Sequence, residues 1–260
     1  MTLAQTDFVS VTEMAGSEVS SEQVDRLCHR YYWAAPHCRN KDVVEVACGT
    51  GPGLGYLSGF SRTLEAGDCS EPLLVRARAH YGTRVPLRRF DAQRMPFGDA
   101  SRDVVIIFEA LYYLPAPQAF VAECRRILRP GGQVLVATAN KDLPDFNPSP
   151  YSHHYHGVLE LQQLFGGFGF NTRCWGYLPF ERLSVKQRVL RPVKQAMVLS
   201  GLFPKTAEGK KWMKRLVFGK LVPMPAEIIP AMVPYTDPTP VMPNRADKSH
   251  KVLYCLATLA

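Results

Sequence analysis

Three carboxylates and a pair of glycines stand at spacings that suit the binding of a nucleotide. Glu45 lies in a short apolar run that is typical of a buried strand, and Gly49 and Gly51 follow it directly. Asp68 and Asp91 each end a later predicted strand. Glycines let a backbone turn approach a ligand closely, and a carboxylate accepts hydrogen bonds from ribose hydroxyls. These residues therefore predict a nucleotide-binding turn between a strand and a helix.

The glycine spacing differs from that of a dinucleotide-binding turn, which follows the pattern G-x-G-x-x-G. A turn that began at Gly49 would need glycine at position 54, where the sequence has Leu54. A turn that began at Gly51 would need glycine at position 56, where the sequence has Tyr56. A nicotinamide dehydrogenase is therefore kept only as a third alternative, and Gly53 and Gly55 are expected to serve helix packing.

The predicted elements around the turn alternate between strands and helices, which indicates a parallel sheet with helices on both faces. A first helix begins near Ser20 or Ser21 and ends before Pro36, and a short helix follows the glycine turn. The remaining helices are predicted at 71–81, 117–128 and 158–166. The strands are predicted at 43–47, 63–67, 85–90, 103–108, 133–138, 171–178 and 251–257.

Four motifs together resemble the class I S-adenosylmethionine-dependent methyltransferases, specifically small-molecule enzymes with a type 11-like domain. The motifs are Glu45-Val46-Ala47-Cys48-Gly49-Thr50-Gly51, Asp68-Cys69-Ser70, Asp91-Ala92-Gln93-Arg94-Met95-Pro96-Phe97 and Ile127-Leu128-Arg129-Pro130-Gly131-Gly132. The resemblance covers about residues 30–180 and the last strand. It implies an α/β fold with a Rossmann-like seven-stranded sheet, mostly parallel with an antiparallel last strand. Ala47 replaces a family glycine, which we expect to be tolerated because φ need not be positive there.

The resemblance implies S-adenosyl-L-methionine as cofactor and S-adenosyl-L-homocysteine as product. It assigns Asp68 to the ribose, Asp91 and Ala92 to the adenine, and Glu45 to the loop or to the ammonium group of the methionine moiety. One of the adjacent tyrosines of the first helix is expected to cover the cofactor. The residues predicted to bind the cofactor are Glu45, Ala47, Gly49, Gly51, Asp68, Cys69, Asp91, Ala92, Phe108 and Tyr32.

Candidate catalytic residues follow the fourth and fifth predicted strands. Methyl transfer is an in-line displacement in which alignment supplies much of the catalysis, and a hydroxyl acceptor benefits from a base. Glu109 is predicted as that base, with a cofactor contact or a helix-start carboxylate as open alternatives. Tyr113 is predicted to wall the pocket, and His154 to face the substrate, with His156 as the alternative. No metal is expected, because no cysteine or carboxylate stands near these histidines at ligand spacing.

The net charge of +8 is concentrated in one segment of the 260-residue chain. Residues 181–220 hold eleven Lys and Arg against two Glu, so the rest is nearly neutral. Three interpretations remain open: a lid with a solvated basic face, a peripheral contact with an anionic membrane through residues 183–220, and recognition of an anionic soluble acceptor. DNA methylation is not expected, because no Asn/Asp-Pro-Pro-aromatic loop follows the fourth strand, and no motif supports a nucleic acid partner.

Composition favours a cytoplasmic protein, with a membrane-peripheral location as the variant of that prediction. Seven scattered cysteines without a C-x-x-C pair argue against a disulfide framework, and neither a signal peptide nor a membrane span is recognised. The predicted organisation is an N-terminal segment with a lid helix (1–40), a methyltransferase core (41–180), a basic insertion or cap (181–245) and a final strand that completes the core (246–260). The oligomeric state is left open.

The predicted function is S-adenosylmethionine-dependent methylation, at oxygen, of a small-molecule, sugar or lipid-linked acceptor. The alternative from a different class is a non-catalytic cofactor-binding protein that engages a partner through its basic cap. Both hypotheses predict cofactor binding, and they differ only in whether the methyl group is transferred.

Overall fold

An eight-stranded sheet forms the centre of the computed structural model, which describes residues 8–12, 14–180 and 221–260. Its strands are β2 Asp42–Val46, β3 Thr63–Asp68, β4 Leu87–Arg89, β5 Arg102–Phe108, β6 Leu128–Ala139, β7 Phe170–Pro179, β9 Thr239–Pro240 and β10 His250–Leu259. Their order in the sheet is β4-β3-β2-β5-β6-β10-β7-β9. A separate antiparallel ribbon pairs β1 (Glu18–Ser20) with β8 (Leu221–Pro223).

Five helices join these strands in the part of the chain that the structure describes. They are α1 Ser21–Cys38, α2 Leu54–Ser58, α3 Glu71–Tyr81, α4 Pro117–Ile127 and α5 Val158–Gly166, with short 3-10 helices at Phe8–Ser10 and Leu111–Tyr113. Ser20 caps α1 as predicted: its hydroxyl accepts the Gln23 N–H at 3.3 Å, and the Gln23 side chain accepts the Ser20 N–H at 2.9 Å. This reciprocal pair satisfies two backbone donors that the first turn leaves open.

The sheet has two buried faces, as the alternation of strands and helices predicts. In β5, Val104 and Ile106 belong to one hydrophobic cluster, whereas Val105 and Ile107 belong to the other. Strand β2 lies between β3 and β5 and is parallel to both, whereas β10 is antiparallel to its neighbours β6 and β7. The predicted fold class is confirmed, and the two-residue β9 adds an eighth strand to the seven that were expected.

Some predicted boundaries differ from the structure. Helix α1 was expected to end before Pro36 but continues to Cys38. Pro36 has no N–H for the Tyr32 carbonyl, and its ring crowds that carbonyl. Burial of Ala34, Ala35 and Cys38 stabilises the last turn against this cost. The strand expected at 85–90 is the three-residue edge strand β4. The basic segment 181–220 lies outside the described residues, and within the described ranges no helix is both long and apolar enough to cross a membrane.

Candidate functional site

A cavity of about 340 Å³ opens at the carboxyl ends of β2, β3 and β5. This is where parallel α/β sheets place their ligand sites. Seven of the ten residues predicted to bind the cofactor line it, together with two of the three predicted catalytic residues. The nine are Glu45, Ala47, Gly49, Asp68, Cys69, Asp91, Phe108, Glu109 and Tyr113.

In the glycine turn, every second residue from Ala47 to Gly51 has a positive φ. Ala47, Gly49 and Gly51 have φ of 51°, 59° and 73°. The expectation that Ala47 would avoid positive φ is wrong, so this alanine holds a conformation that favours glycine. A Cβ on Gly51 would lie 2.5 Å from Leu54 Cδ1, so Gly51 shapes the turn although it does not line the cavity. The backbone of this turn therefore follows the glycine pattern that the resemblance implies.

Asp68 ties the turn to the next strand. Its Oδ2 accepts the Gly49 N–H at 2.8 Å, and its Oδ1 accepts the Ser70 N–H at 2.8 Å. Burial raises the pKa of the Asp68 carboxyl, while these two N–H donors act in the opposite direction. The side chain and the backbone of Cys69 also form hydrogen bonds with this carboxyl, and they lower its pKa in the same way.

Glu45 places a buried carboxylate at the floor of the cavity. The residue is 2% exposed, and its Oε1 accepts the Tyr31 hydroxyl at 2.6 Å. Its Oε2 is buried without a hydrogen-bond partner among the described residues. Burial raises the pKa of Glu45 to about 7, while Tyr31 and the charge of Arg30 lower it. Glu45 lines the cavity, and a buried carboxylate oxygen without a donor suits a cationic group of a ligand.

Helix α1 supplies one wall of the cavity. Its lining residues have the spacing i, i+3, i+4, i+7, i+8 of a single helical face: Gln23, Arg26, Leu27, Arg30 and Tyr31. Tyr32, which was predicted to bind the cofactor, does not line the cavity, whereas the adjacent Tyr31 does. Successive helical residues point about 100° apart, and the Tyr32 hydroxyl instead donates to the Ile229 carbonyl at 2.7 Å. A Cβ on Gly53 would lie within 2.3 Å of the Tyr31 ring, so Gly53 serves packing, as expected.

Glu109 holds an unusual backbone conformation at the end of β5. Its φ is 50°, and its N–H donates to the Ala137 carbonyl at 2.8 Å. Its carboxylate receives long hydrogen bonds from Arg26 Nη2 at 3.4 Å and from the Tyr112 hydroxyl at 3.3 Å. Non-glycine residues in this region are strained, and such residues cluster at functional sites. Glu109 thus combines strain, partial exposure and a place on the cavity wall.

Tyr113 lines the cavity beside Glu109 and also anchors two loops. Its hydroxyl lies 2.7 Å from Ser149 Oγ, and its ring contacts the Phe8 ring with centroids 5.5 Å apart. Phe8, Val11 and Thr12 of the N-terminal segment line the same side of the cavity. Tyr113 therefore forms part of the cavity wall, and its ring contact with Phe8 connects the N-terminal segment to that wall.

His154 lies outside the cavity, contrary to the prediction. Its side chain is 57% exposed, and its Nε2 lies 3.4 Å from Glu160 Oε1. The loop is anchored through backbone contacts, since the His153 N–H donates to the Tyr112 carbonyl at 2.8 Å, and this leaves the imidazole of His154 facing solvent. His156 is buried, and burial lowers its pKa to about 4, but it does not line the cavity either. Within the described ranges, no group of His, Cys, Asp and Glu has an arrangement that would hold a metal.

The residues predicted to bind the adenine divide between the cavity and the core. Asp91 lines the cavity, and its Oδ1 accepts the Gln93 N–H at 2.8 Å. Ala92 is buried in the hydrophobic cluster on the α4 side of the sheet and does not line the cavity. Phe108 lines it and makes an edge contact with Tyr31 at 5.2 Å between centroids.

The segment after β8 covers the other side of the glycine turn. Met224 lines the cavity, and the Ile228 N–H donates to the Pro52 carbonyl at 2.8 Å. Glu227 accepts hydrogen bonds from Arg84 Nη2 at 2.8 Å and lies 2.7 Å from His80 Nε2. Sequence reasoning missed Met224, because nothing in the sequence connects position 224 with the turn. It also missed the two arginines of α1, although their helical spacing with Tyr31 was visible.

Comparison with known proteins agrees with this geometry. Residues 44–136 match the family model described as "Methyltransferase domain". A "probable S-adenosylmethionine-dependent methyltransferase" of Mycolicibacterium smegmatis is 34% identical over 153 residues, which is 56% of each chain. Phthiotriol/phenolphthiotriol dimycocerosates methyltransferase 1 of Mycobacterium ulcerans is 38% identical over 45% of each chain. The O-methyltransferase cnsE of Penicillium expansum is 29% identical over 57% of this chain and 58% of its own.

A solved structure of a methyltransferase from Archaeoglobus fulgidus shares the fold, with a TM-score of 0.54 and 14% identity over 92% of this chain and 94% of that one. The first sequence relatives are matched over 40–56% of their own length, so the chain spans about half of each. The family model over residues 44–136 and these relatives agree with the family that the four motifs resemble.

Proposed function

We propose that this chain, which carries an S-adenosylmethionine-dependent methyltransferase domain at residues 44–136, methylates a hydroxyl group of a small-molecule, sugar or lipid-linked acceptor. The observation that carries the proposal is the meeting of Glu45, Asp68, Asp91 and Glu109 in one cavity at the strand ends. Three of these carboxylates match the polar groups of the cofactor, and the fourth is left for the acceptor.

The methionine end of the cofactor fits the charges on the cavity floor. It carries an ammonium and a carboxylate group, and the unpartnered Oε2 of Glu45 is an acceptor for the first. Arg30, which lines the cavity and acts electrostatically on Glu45, is a donor for the second. We assign Gly49 and Gly51 to the approach of the backbone to this group, and Asp68 and Asp91 to the ribose and the adenine.

Bound S-adenosylmethionine would supply a methyl group on a positively charged sulfur. The protein would then align the acceptor and take its proton. Glu109 lies on the cavity wall and is the residue that we assign to the proton, while Tyr113 bounds the acceptor space. Water exclusion comes from the α1 face, from Phe8 and from Met224, which close the cavity from three segments of the chain.

The acceptor class is drawn from the relatives. One is named for a lipid-like acceptor and another as an O-methyltransferase, and these names support oxygen methylation of a small or lipid-linked molecule here. We make three further proposals. The basic segment 183–220 contacts an anionic membrane, the chain divides into lid, core, cap and final strand, and the protein is cytoplasmic.

Two measurements test the proposal. Calorimetry should show binding of S-adenosylhomocysteine in one-to-one ratio and none of a nicotinamide dinucleotide. Labelled S-adenosylmethionine should then transfer its methyl group to at least one member of a panel of phenols, sugars and lipid alcohols. Binding without any transfer across the panel would favour the non-catalytic cofactor-binding protein, and dinucleotide binding alone would favour a dehydrogenase.

A further inference from the structure

Among the described residues that line the cavity, one acidic group is not assigned to the cofactor, and it has two donors. Glu109 lies between Arg26 Nη2 at 3.4 Å and the Tyr112 hydroxyl at 3.3 Å. Both contacts are long, as catalytic hydrogen bonds often are without a ligand. The Glu109 side chain is 20% exposed, so the carboxylate is presented to the cavity as a hydrogen-bond acceptor.

Aromatic rings surround this carboxylate. Phe8 and Tyr113 meet edge to face with centroids 5.5 Å apart, and Tyr113 meets Tyr112 at 4.5 Å. All three line the cavity. Tyr112 is held from behind by Tyr155, which stacks on it at 4.0 Å. Rings packed at these distances favour another flat ring, because edge-to-face and offset contacts add to its burial.

The cavity offers a weak proton acceptor. Among the described residues that line it there is neither lysine nor histidine, so a carboxylate is the strongest base that these residues offer to the acceptor hydroxyl. A phenol, with a reference pKa near 10, releases its proton far more readily than an alkyl alcohol, whose acidity is near that of water at about 15.7. A carboxylate, which is a weak base, is therefore better matched to a phenol than to an alkyl alcohol.

We propose that the acceptor is a phenol, whose ring lies against Phe8, Tyr112 and Tyr113 and whose hydroxyl donates to Glu109. This inference rests on the proposed function. In the transfer, the phenolic oxygen forms a bond to the methyl carbon as the carbon–sulfur bond breaks. The electron pair of that bond stays on sulfur, which becomes a neutral thioether, and the phenolic proton passes to the Glu109 carboxylate.

The test compares two probes with the same cyano-substituted ring, 4-cyanophenol and 4-cyanobenzyl alcohol. The second carries its hydroxyl on a methylene group and is a far weaker acid. Each is titrated by calorimetry into the full chain saturated with S-adenosylhomocysteine, so the readout is binding and not turnover. We expect 4-cyanophenol to bind about tenfold more tightly, because a stronger donor makes a stronger bond to a carboxylate. Equal affinities, or tighter binding of the alcohol, would overturn the inference.

Variants test whether Glu109 is the source of the preference for 4-cyanophenol. Glu109→Gln should remove the difference between the probes, whereas Glu71→Gln, which changes an acidic residue that pairs with Arg78 on α3, should keep it. Tyr113→Leu should weaken both probes by a similar factor, because it removes a ring and leaves the carboxylate. A preference that survives Glu109→Gln would overturn the inference. The saturation step separates the two claims, since a chain that binds no S-adenosylhomocysteine would contradict the proposed function itself.

Discussion

The Tyr31 hydroxyl donates a 2.6 Å hydrogen bond to Glu45 Oε1, and both residues are 2% exposed. This bond satisfies one oxygen of a buried carboxylate and leaves the other without a donor among the described residues. Burying a carboxylate with half of its acceptors unmet costs free energy. The arrangement is reasonable when a ligand completes it, and a cationic ammonium group would do so.

Replacement of Tyr31 by phenylalanine should weaken the cofactor site. The variant keeps the ring against Phe108 but removes the only hydroxyl donor that Glu45 has in the described part of the chain. A hydrogen bond to a charged group is worth about 1.5–3 kcal/mol, so we expect S-adenosylhomocysteine affinity to fall about tenfold by calorimetry. Tyr32→Phe is the matched control, because the Tyr32 hydroxyl bonds to the Ile229 carbonyl outside the cavity. Equal affinities for the two variants would contradict the assignment.

Cofactor affinity should depend on pH through Glu45. Burial raises the pKa of this carboxyl to about 7 in the free protein, so it is mostly protonated at pH 6 and mostly ionised at pH 8. An ammonium group binds the ionised form, so S-adenosylhomocysteine should bind up to about tenfold more tightly at pH 8 than at pH 6. Glu45→Gln should flatten this dependence. A pH-independent wild-type affinity would show that the ammonium group binds elsewhere.

The free energy of unfolding should depend on pH through His29. This residue is fully buried, its Nδ1 lies 2.8 Å from the Tyr254 hydroxyl, and its Nε2 lies 2.7 Å from the Thr236 carbonyl. Burial lowers the pKa of His29 from 6.5 to about 4. The folded state therefore favours the neutral ring, and its contribution is complete above pH 6.5 and is lost as the pH falls towards 4.

Urea unfolding at pH 7 and pH 5 measures this contribution. Between these values wild type should lose about 2 kcal/mol more than His29→Gln, at about 1.4 kcal/mol for each pKa unit. The difference between wild type and variant is the informative quantity, because His156 shifts in the same direction and Glu45 in the opposite one. Parallel pH profiles for the two proteins would contradict the role of His29.

Ala47→Gly should stabilise the chain. Ala47 has φ of 51°, and left-handed backbone costs a residue with a Cβ about 1–2 kcal/mol. Part of this gain is offset by the greater freedom of glycine in the unfolded chain, so we expect a rise of about 0.5–1 kcal/mol in the free energy of unfolding. Ala137→Gly is the control, since Ala137 lies within β6 and should lose stability. A loss of stability in both variants would contradict the strain at Ala47.

Sequence reasoning reached the elements whose pattern is local. Apolar runs located seven of the eight strands of the sheet, and helix α5 was predicted with the bounds 158–166 that the structure shows. The glycine turn, Asp68 and Asp91 were found because strand ends in a parallel sheet share one edge. These signals depend on chain order alone, so no tertiary contact was needed to recognise them.

The sequence did not predict the direction in which individual side chains point. Tyr31 and Tyr32 are adjacent and alike, and only the packing of α1 on the sheet decides which ring faces the cavity. His154 stands in a loop whose backbone contacts turn the imidazole outward. Met224 reaches the cavity because β8 pairs with β1, a contact between residues about 200 positions apart. Such long-range contacts leave no local pattern.

A crystal structure with S-adenosylhomocysteine tests the central claim most directly. The account predicts the ligand in the cavity at the ends of β2, β3 and β5, with its ammonium nitrogen within about 3.2 Å of Glu45 Oε2 and its ribose hydroxyls on Asp68. A ligand bound elsewhere, or a bound ligand that leaves Oε2 of Glu45 without a donor, would contradict it.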